Sequence, residues 1–402
     1  MLQEVDDAVH VMRFCTIAGV ESSGAMISSL VERRHFPTLE RHRYVNQASL
    51  GLIGEPAVQA MHRFIDDFAR HGNCHMSDED EARFVDTLRA AASTLLSCPV
   101  AQVAVVGGAS EILAQLPLMI DVPQDDTIVA VATDFPAVTR PWLRQQALGR
   151  ARIRFVVDCP SESLTEALIR AIDASTAVVA VSSVQYATGT TVDIGRLGRA
   201  VSEAGAHLVV DVTQELGARC VDVNGWDADA VVCSGYKWLG GHGGVALAAM
   251  SPRLLERLPP LTGWMGAPDP FDFDATSLAM AADARRYTQS TMSYASVACL
   301  SAALQELAGL GAGRIASHAA GLARLLVERV GGRGWAPFRS PGDPNGCEHI
   351  VALSHPETSA EEAQSKLADR GIVCGARGGR LRVSIAPYND ESDVDAMTQA
   401  LP

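Results

Sequence analysis

HLVVD at 207–211 and DAVVCSGYKWLGGHGG at 229–244 are the two stretches whose reading decides the fold. Each opens on an apolar run and ends on polar chemistry: the first on Asp211, the second on Ser234, Tyr236 and Lys237, with a glycine cluster directly after. Short runs that stay apolar at successive positions mark strands covered on both faces, as in a parallel sheet. Parallel strands end at one edge of their sheet, and ligands bind at that edge. The two stretches therefore set a carboxylate and an amine on one rim.

Working outward, the same pattern recurs at 103–106, 127–132, 153–157 and 177–182, and 243–250 reads as one further strand. Amphipathic stretches at 162–173 and 194–204 lie between them; in the second, Leu197, Val201 and Ala204 share a face that excludes Arg196, Arg199 and Glu203. Strand–helix alternation predicts an α/β domain with a mostly parallel sheet. A Gly/Pro/Asp-rich passage at 261–274 ends the alternation. An Ala-rich helix is expected at 295–310, then a strand at 348–354, a helix at 359–371, two strands around a glycine turn within 372–384, and a helix at 391–401. The expected division is an N-terminal segment at 1–40, a large domain at 41–290 and a small α+β domain at 291–402.

The chain has 402 residues, 48% hydrophobic and 20% charged, which suits a large buried core rather than a disordered chain. With 33 basic against 47 acidic residues the net charge is −14, which argues against a nucleic-acid partner. One site can still be locally positive on an acidic protein. No apolar run reaches 18 residues, and the start, MLQEVDDAVHVMRF, has no signal-peptide core, so no membrane partner is expected. The nine cysteines include no CxxC pair, which points to free thiols in a reducing cytoplasm, with no metal site. His242, inside the glycine cluster, reads as structural or substrate-facing. No GxSxG, HExxH or GxxxxGK[ST] motif occurs.

Three segments, VDVTQ (210–214), CSGYKWLGG (233–241) and RLRVSIAPYN (380–389), resemble in this order and spacing the aminotransferase class V family. That family of pyridoxal-phosphate enzymes includes cysteine desulfurases, kynureninases, isopenicillin-N epimerase-like proteins and sulfoxide C–S lyases. The resemblance covers about residues 40–400. It implies a type I fold with helices on both faces of the large domain's sheet, pyridoxal 5'-phosphate as cofactor, and a small amino-acid substrate.

The resemblance also assigns roles residue by residue. Lys237 corresponds to the lysine that joins the cofactor aldehyde and, once freed, serves as base at the substrate Cα. Asp211 corresponds to the partner of the pyridine nitrogen, and Gln214 to a position near the phenolic oxygen. Ala109 and Ser110, after Gly107 and Gly108, stand in the phosphate loop at a helix start. Ala109 replaces the Thr common there, so only its N–H is available. Ser234 and Tyr236 match further phosphate-contacting positions. Thr291, in YTQSTMSY, resembles a residue reaching the phosphate of a neighbouring subunit, which implies a homodimer with shared sites. Phe135, in ATDFPAV, matches the aromatic that stacks on the ring, and Tyr186, in SVQYATG, a residue near the cofactor oxygen; both strings are closer to kynureninases than to desulfurases. Arg382 resembles the arginine that clamps the substrate carboxylate through two parallel bonds. Arg377 is either a solvated loop arginine or a contact for a second acidic group or distal part of the substrate. Asn46, in RYVNQASLG, matches a segment lining the substrate pocket. The stretch 261–286 is expected to border the site, with Trp264, Arg285 and Arg286 as candidates for contacting the substrate side chain.

Desulfurases carry a mobile nucleophilic cysteine before the carboxylate-binding arginine. Here Cys374, in GIVCGARGGRLRVS (371–384), falls on an expected strand and reads as a buried thiol. The expected activity is therefore a lyase that cleaves the β C–S bond of an S-substituted cysteine or its sulfoxide, of the kind found in thiol-metabolite and antibiotic pathways. The alternatives are decarboxylation-coupled deamination, transamination or epimerisation of an amino acid, or a non-catalytic cofactor-binding protein.

Overall fold

The computed structural model describes residues 26–74 and 76–401. Residues 1–25, most of the expected N-terminal segment and Cys15 with it, lie outside the described residues. The strands are β1 (Arg43–Tyr44), β2 (Val103–Val106), β3 (Thr127–Val131), β4 (Arg152–Val156), β5 (Thr176–Ser182), β6 (His207–Asp211), β7 (Ala230–Ser234), β8 (Ala246–Met250), β9 (Ala336–Pro337), β10 (Ile350–Ser354), β11 (Ile372–Val373), β12 (Gly375–Arg377) and β13 (Arg380–Ser384). The helices are α1 (Glu55–His71), α2 (Asp78–Leu96), α3 (Ala109–Met119), α4 (Pro136–Ala147), α5 (Leu164–Ala171), α6 (Ile194–Glu203), α7 (Pro252–Leu255), α8 (Tyr294–Leu310), α9 (Ala312–Gly331), α10 (Ala360–Ala368) and α11 (Glu391–Ala400).

Seven strands form the central sheet in the order β2-β8-β7-β6-β5-β3-β4. Pairing is parallel from β7 across to β4, and β8 runs against both its neighbours. The reason lies in the connections. Parallel neighbours need a long crossover, which α4 supplies between β3 and β4 and α6 between β5 and β6, whereas β7 returns into the antiparallel β8 through the glycine-rich loop 235–245. Alternate residues feed two cores. Val103, Val105, Val129, Val179, Leu208, Val210 and Val231 pack with α2, α5, α6 and α8. Ala104, Val106, Ile128, Val178, Val209 and Val232 pack with α3 and α4. Period-two alternation of wholly apolar strands is what a sheet with two covered faces requires.

The stretch at 153–157 departs from that expectation. Its strand, β4, is the sheet edge with one neighbour, and Phe155 is 43% exposed. No single described helix is long and apolar enough to cross a membrane; α8 and α9, the apolar pair, meet at a 76° bend and contribute to the cores. The region 55–96, to which the sequence reading assigns no element, holds α1 and α2. Helix α2 is opened by a capping box between Ser77 and Asp80.

The C-terminal part is a four-stranded antiparallel sheet, β12-β13-β10-β9, packed on α9, α10 and α11. Within 372–384 the glycine turn is Gly378-Gly379, both at positive φ, joining β12 to β13 as a two-residue hairpin. The remaining piece, β11, pairs instead in parallel with β1, and Val45 enters the core of this part. The chain before α1 is thus carried to the mouth between the two sheets.

Candidate active site

Strands β2, β3, β5, β6 and β7 all end on one rim, and the residues directly after them line a cleft. Its walls are Ala109, Ser110, Phe135, Ala137, Ser182, Tyr186, Asp211, Thr213, Gln214, Ser234, Tyr236 and Lys237. The cavity among these side chains is small, about 30 Å³.

Lys237 stands in the turn after β7, and three contacts hold its carbonyl side. Gln47 Nε2 donates to the Lys237 carbonyl at 2.8 Å and Gly240 N at 3.1 Å, while Gly51 N donates to the Tyr236 carbonyl at 2.9 Å. A Cβ on Gly51 would lie 2.2 Å from the Lys237 carbonyl oxygen, so only glycine lets the two segments approach. Lys237 is 6% exposed, and its amine lies 5.1 Å from the centroid of the Phe135 ring. Burial lowers its pKa to about 8; Asp211 opposes the shift, and Arg382 and Arg377 add to it. At neutral pH roughly a tenth of the amine is then unprotonated, against fewer than one in a thousand for an ordinary lysine.

Asp211 ends β6 and is buried. Burial pushes its pKa up, while Thr213 N, donating to Oδ1 at 2.8 Å, and the Lys237 charge hold it down. Thr213 Oγ1 in turn accepts from Ser234 N at 3.0 Å, which ties β6 to the start of the lysine turn. Gln214 lines the cleft, but its amide is engaged: Trp238 Nε1 donates to Oε1 at 2.8 Å, and Nε2 donates to the Ala48 carbonyl at 3.0 Å. Phe135, whose ring lies against the amine, meets Tyr186 edge to face at 5.5 Å. Gly108 is the N-cap of α3 without a side-chain cap, and Ala109 and Ser110 open the helix toward the cleft, where unpaired N–H groups favour an anion.

Arg382, on β13, is 1% exposed, with no carboxylate in ion-pair range among the described residues. Nη1 donates to the Tyr186 carbonyl at 2.8 Å, Nη2 donates to Ser49 Oγ and, at 3.5 Å, to Asn46 Oδ1, and Nε has no partner. Burial, then Arg377, lowers its pKa to about 10. Arg377 is exposed at the mouth and donates to the same Ser49 hydroxyl at 3.4 Å. Two guanidinium groups around one hydroxyl form a seat for an anion.

Thr291 is exposed and does not line this cleft. His242 is exposed and stays near its own loop, Nδ1 lying 2.9 Å from the Gly243 carbonyl. Arg285 binds Asp283, and Arg286 donates to the carbonyls of Ala281, Leu255 and Arg257, so both are structural. Trp264 packs with Phe271 and Phe273 in a separate exposed cluster. The sequence reading missed Thr213, Ser182, Asp134 and Ser49. Ser49 had a signal, lying three residues after Asn46 in the same segment; Ser182, at the end of a wholly apolar strand, had another.

The residues present fit pyridoxal 5'-phosphate: a buried amine for its aldehyde, a buried carboxylate for its ring nitrogen, an aromatic beside the amine, and a helix N-terminus for its phosphate. The sequence model of the aminotransferase class-V family matches residues 44–397. The cysteine desulfurase CsdA of Escherichia coli is 27% identical over 92% of this chain and 96% of that protein. The kynureninase of Deinococcus radiodurans is 30% identical over 49% of this chain, and that of Pseudomonas fluorescens 31% over 56%; the chain spans about half the length of each, 48% and 54%. Among solved structures, the Escherichia coli CsdA desulfurase superposes with a TM-score of 0.80 at 24% identity over 92% of this chain and 96% of that one. The cystine C–S lyase C-DES, in complex with cysteine persulfide, superposes with 0.82 at 17% identity over 90% and 98%. These likenesses show the type I fold. With its rim lysine and aspartate, its cleft and the family match over most of its length, the chain belongs to the aminotransferase class V family of pyridoxal-5'-phosphate enzymes.

Proposed function

We propose that the protein is a β-eliminating C–S lyase acting on an S-substituted cysteine or its sulfoxide. In net terms, RS–CH2–CH(NH3+)–COO− and water give RSH, pyruvate and ammonium; a sulfoxide gives the sulfenic acid in place of the thiol. The observation that carries the reading is the state of the thiols. Cys374 is 3% exposed, and burial pushes its pKa to about 12. Cys233, behind the lysine turn, is also buried and shifted up. Among the described residues, no cysteine lines the cleft. A persulfide relay needs a thiolate that reaches the substrate sulfur; here sulfur leaves with its substituent instead.

When bound, the cofactor supplies an electron sink for bonds breaking at the substrate Cα. The chain does the rest. Arg382, with Asn46 and Ser49, holds the substrate carboxylate; Lys237 Nζ takes the Cα proton, for which its lowered pKa leaves a populated free amine; Asp211 keeps the ring nitrogen protonated. The leaving group faces the mouth, where Arg377 stands. Thr291 is exposed and away from its own chain's cleft, which supports a homodimer in which it serves the partner's phosphate; a Thr291→Ala and Lys237→Ala mixture recovering activity through hybrid dimers tests this. Reaction among free thiols in the cytoplasm, and service in antibiotic or other thiol-metabolite formation, belong to the same proposal.

The test is to incubate the holoenzyme with S-alkyl-cysteines and their sulfoxides and assay pyruvate and thiol. Pyruvate equal to thiol is expected. Carbon dioxide with an aldehyde, stoichiometric pyridoxamine phosphate or a racemised amino acid, each without pyruvate, would replace the lyase by a decarboxylase, an aminotransferase or an epimerase.

A further inference from the structure

Asp134, between β3 and α4, is a carboxylate that no assigned role explains. It is buried, and four donors converge on it. Oδ1 accepts from Ser182 Oγ and from Phe135 N, both at 2.6 Å. Oδ2 accepts from Ser182 N at 2.7 Å and from Gln185 Nε2 at 3.2 Å. None of these donors is charged. A carboxylate kept from water without a cation is costly, and four hydrogen bonds are the form of compensation that keeps it ionised. Burial pushes its pKa up to about 6, and the donors pull against that rise.

The donors come from two strand ends. Phe135 follows β3, while Ser182 ends β5 and Gln185 lies in the loop after it; β3 and β5 are neighbours in the sheet. Phe135 is next in sequence to Asp134, and Tyr186 next to Gln185. These two rings meet edge to face, and the Phe135 ring lies beside Lys237 Nζ. Phe135 itself is 37% exposed, so packing alone does not fix it. From this placement we infer that Asp134 is a positioning residue: it clamps the turn after β3 to the loop after β5 and so sets the Phe135 ring, with Tyr186, over the cofactor's place.

The carboxylate form is required. The Phe135 and Ser182 N–H groups sit on different oxygens and only donate. An asparagine therefore points its NH2 at one of these N–H groups whichever way it turns, losing a bond and creating a repulsion.

The test is a double-mutant cycle between Asp134→Asn and Phe135→Leu. It reads the equilibrium affinity of the apo-protein for pyridoxal 5'-phosphate, with urea stability of the apo-protein measured beside it. If the residue acts through the ring, Asp134→Asn weakens cofactor binding about tenfold in the native background and about twofold or less beside Phe135→Leu. An equal weakening in both backgrounds, or none in the native one, overturns the inference, since a generally structural residue lowers affinity regardless of the ring. Should Asp134→Asn fail to fold, Ser182→Ala and Gln185→Ala remove donors one at a time and are read in the same cycle. Additivity with Phe135→Leu for both would then refute the clamp.

Discussion

Replacing Lys237 by Met should make the apo-protein more stable at neutral pH, by an amount that fades as the pH rises. The unfolded chain holds the lysine proton up to its ordinary value of 10.5; the folded chain releases it near 8. Between those values the unfolded state binds more protons, so the stability of the native protein climbs with pH. Below 8 both states are charged, and the folded state bears the full cost of the buried ammonium. A gap of about 2.5 in pKa, at about 1.4 kcal/mol for each, makes that cost about 3–4 kcal/mol at pH 7. At pH 9.5 linkage leaves roughly half of it, so about 2 kcal/mol of the difference between variant and native protein should vanish between pH 7 and 9.5. Met fills nearly the same volume without charge, so packing contributes little. The assay is urea unfolding of both apo-proteins at several pH values, and loss of the yellow lysine-bound chromophore is the control for the substitution. A pH-independent difference, or a less stable Met variant at pH 7, would show that the amine is not held in the dry surroundings described here.

Three further substitutions probe other parts of the site. Arg382→Lys should raise KM for an amino-acid substrate by about thirtyfold or more while kcat falls less, because an ammonium cannot make the paired contacts of a guanidinium; equal losses in both parameters would place Arg382 in the chemical step. Cys374→Ala should leave pyruvate formation within about twofold of native, since the thiol is buried and has no part in elimination; a loss of turnover with intact folding would restore the persulfide route. Gly51→Ala should weaken cofactor binding and cost about 1–3 kcal/mol of stability, because a Cβ 2.2 Å from the Lys237 carbonyl oxygen forces the two segments apart; unchanged affinity would mean the lysine turn is not braced there.

The rim was legible because its signals are local. Strands β6 and β7 are each one apolar run, and the polar residue that ends a parallel strand lies on the ligand side by topology alone. The hairpin at Gly378-Gly379 was legible for a similar reason, since paired glycines supply the two positive φ values the turn needs. What escaped was set by distant partners. The pattern at 153–157 looks like that of an internal strand, but nothing in those residues says that β4 has a single neighbour. The pairing of β11 with β1 joins segments more than three hundred residues apart. Gln214 has the side chain expected of a cofactor contact, yet its amide is engaged by Trp238 and Ala48, which only the packing of the N-terminal segment reveals. Asp134 was hidden beside the more conspicuous Phe135, because its donors lie on the neighbouring strand.

The imbalance of charge in the cleft bears on how the base is controlled. Burial lowers the pKa of Lys237 most; Asp211 opposes it, and the positive field of Arg382 and Arg377 adds to it. A substrate carboxylate seated between Arg382 and Ser49 cancels much of that positive field, so the amine becomes a stronger base when the substrate is in place. The rise on substrate binding increases the driving force for proton removal by the freed lysine. Substrates with and without the carboxylate should therefore differ in more than affinity. Compared at saturation, an S-alkyl-cysteine should show the higher lysine pKa in its kcat–pH profile, and the corresponding S-alkyl-cysteamine one closer to that of the free enzyme. The same pKa for both would mean that the arginines hold the substrate without tuning the lysine.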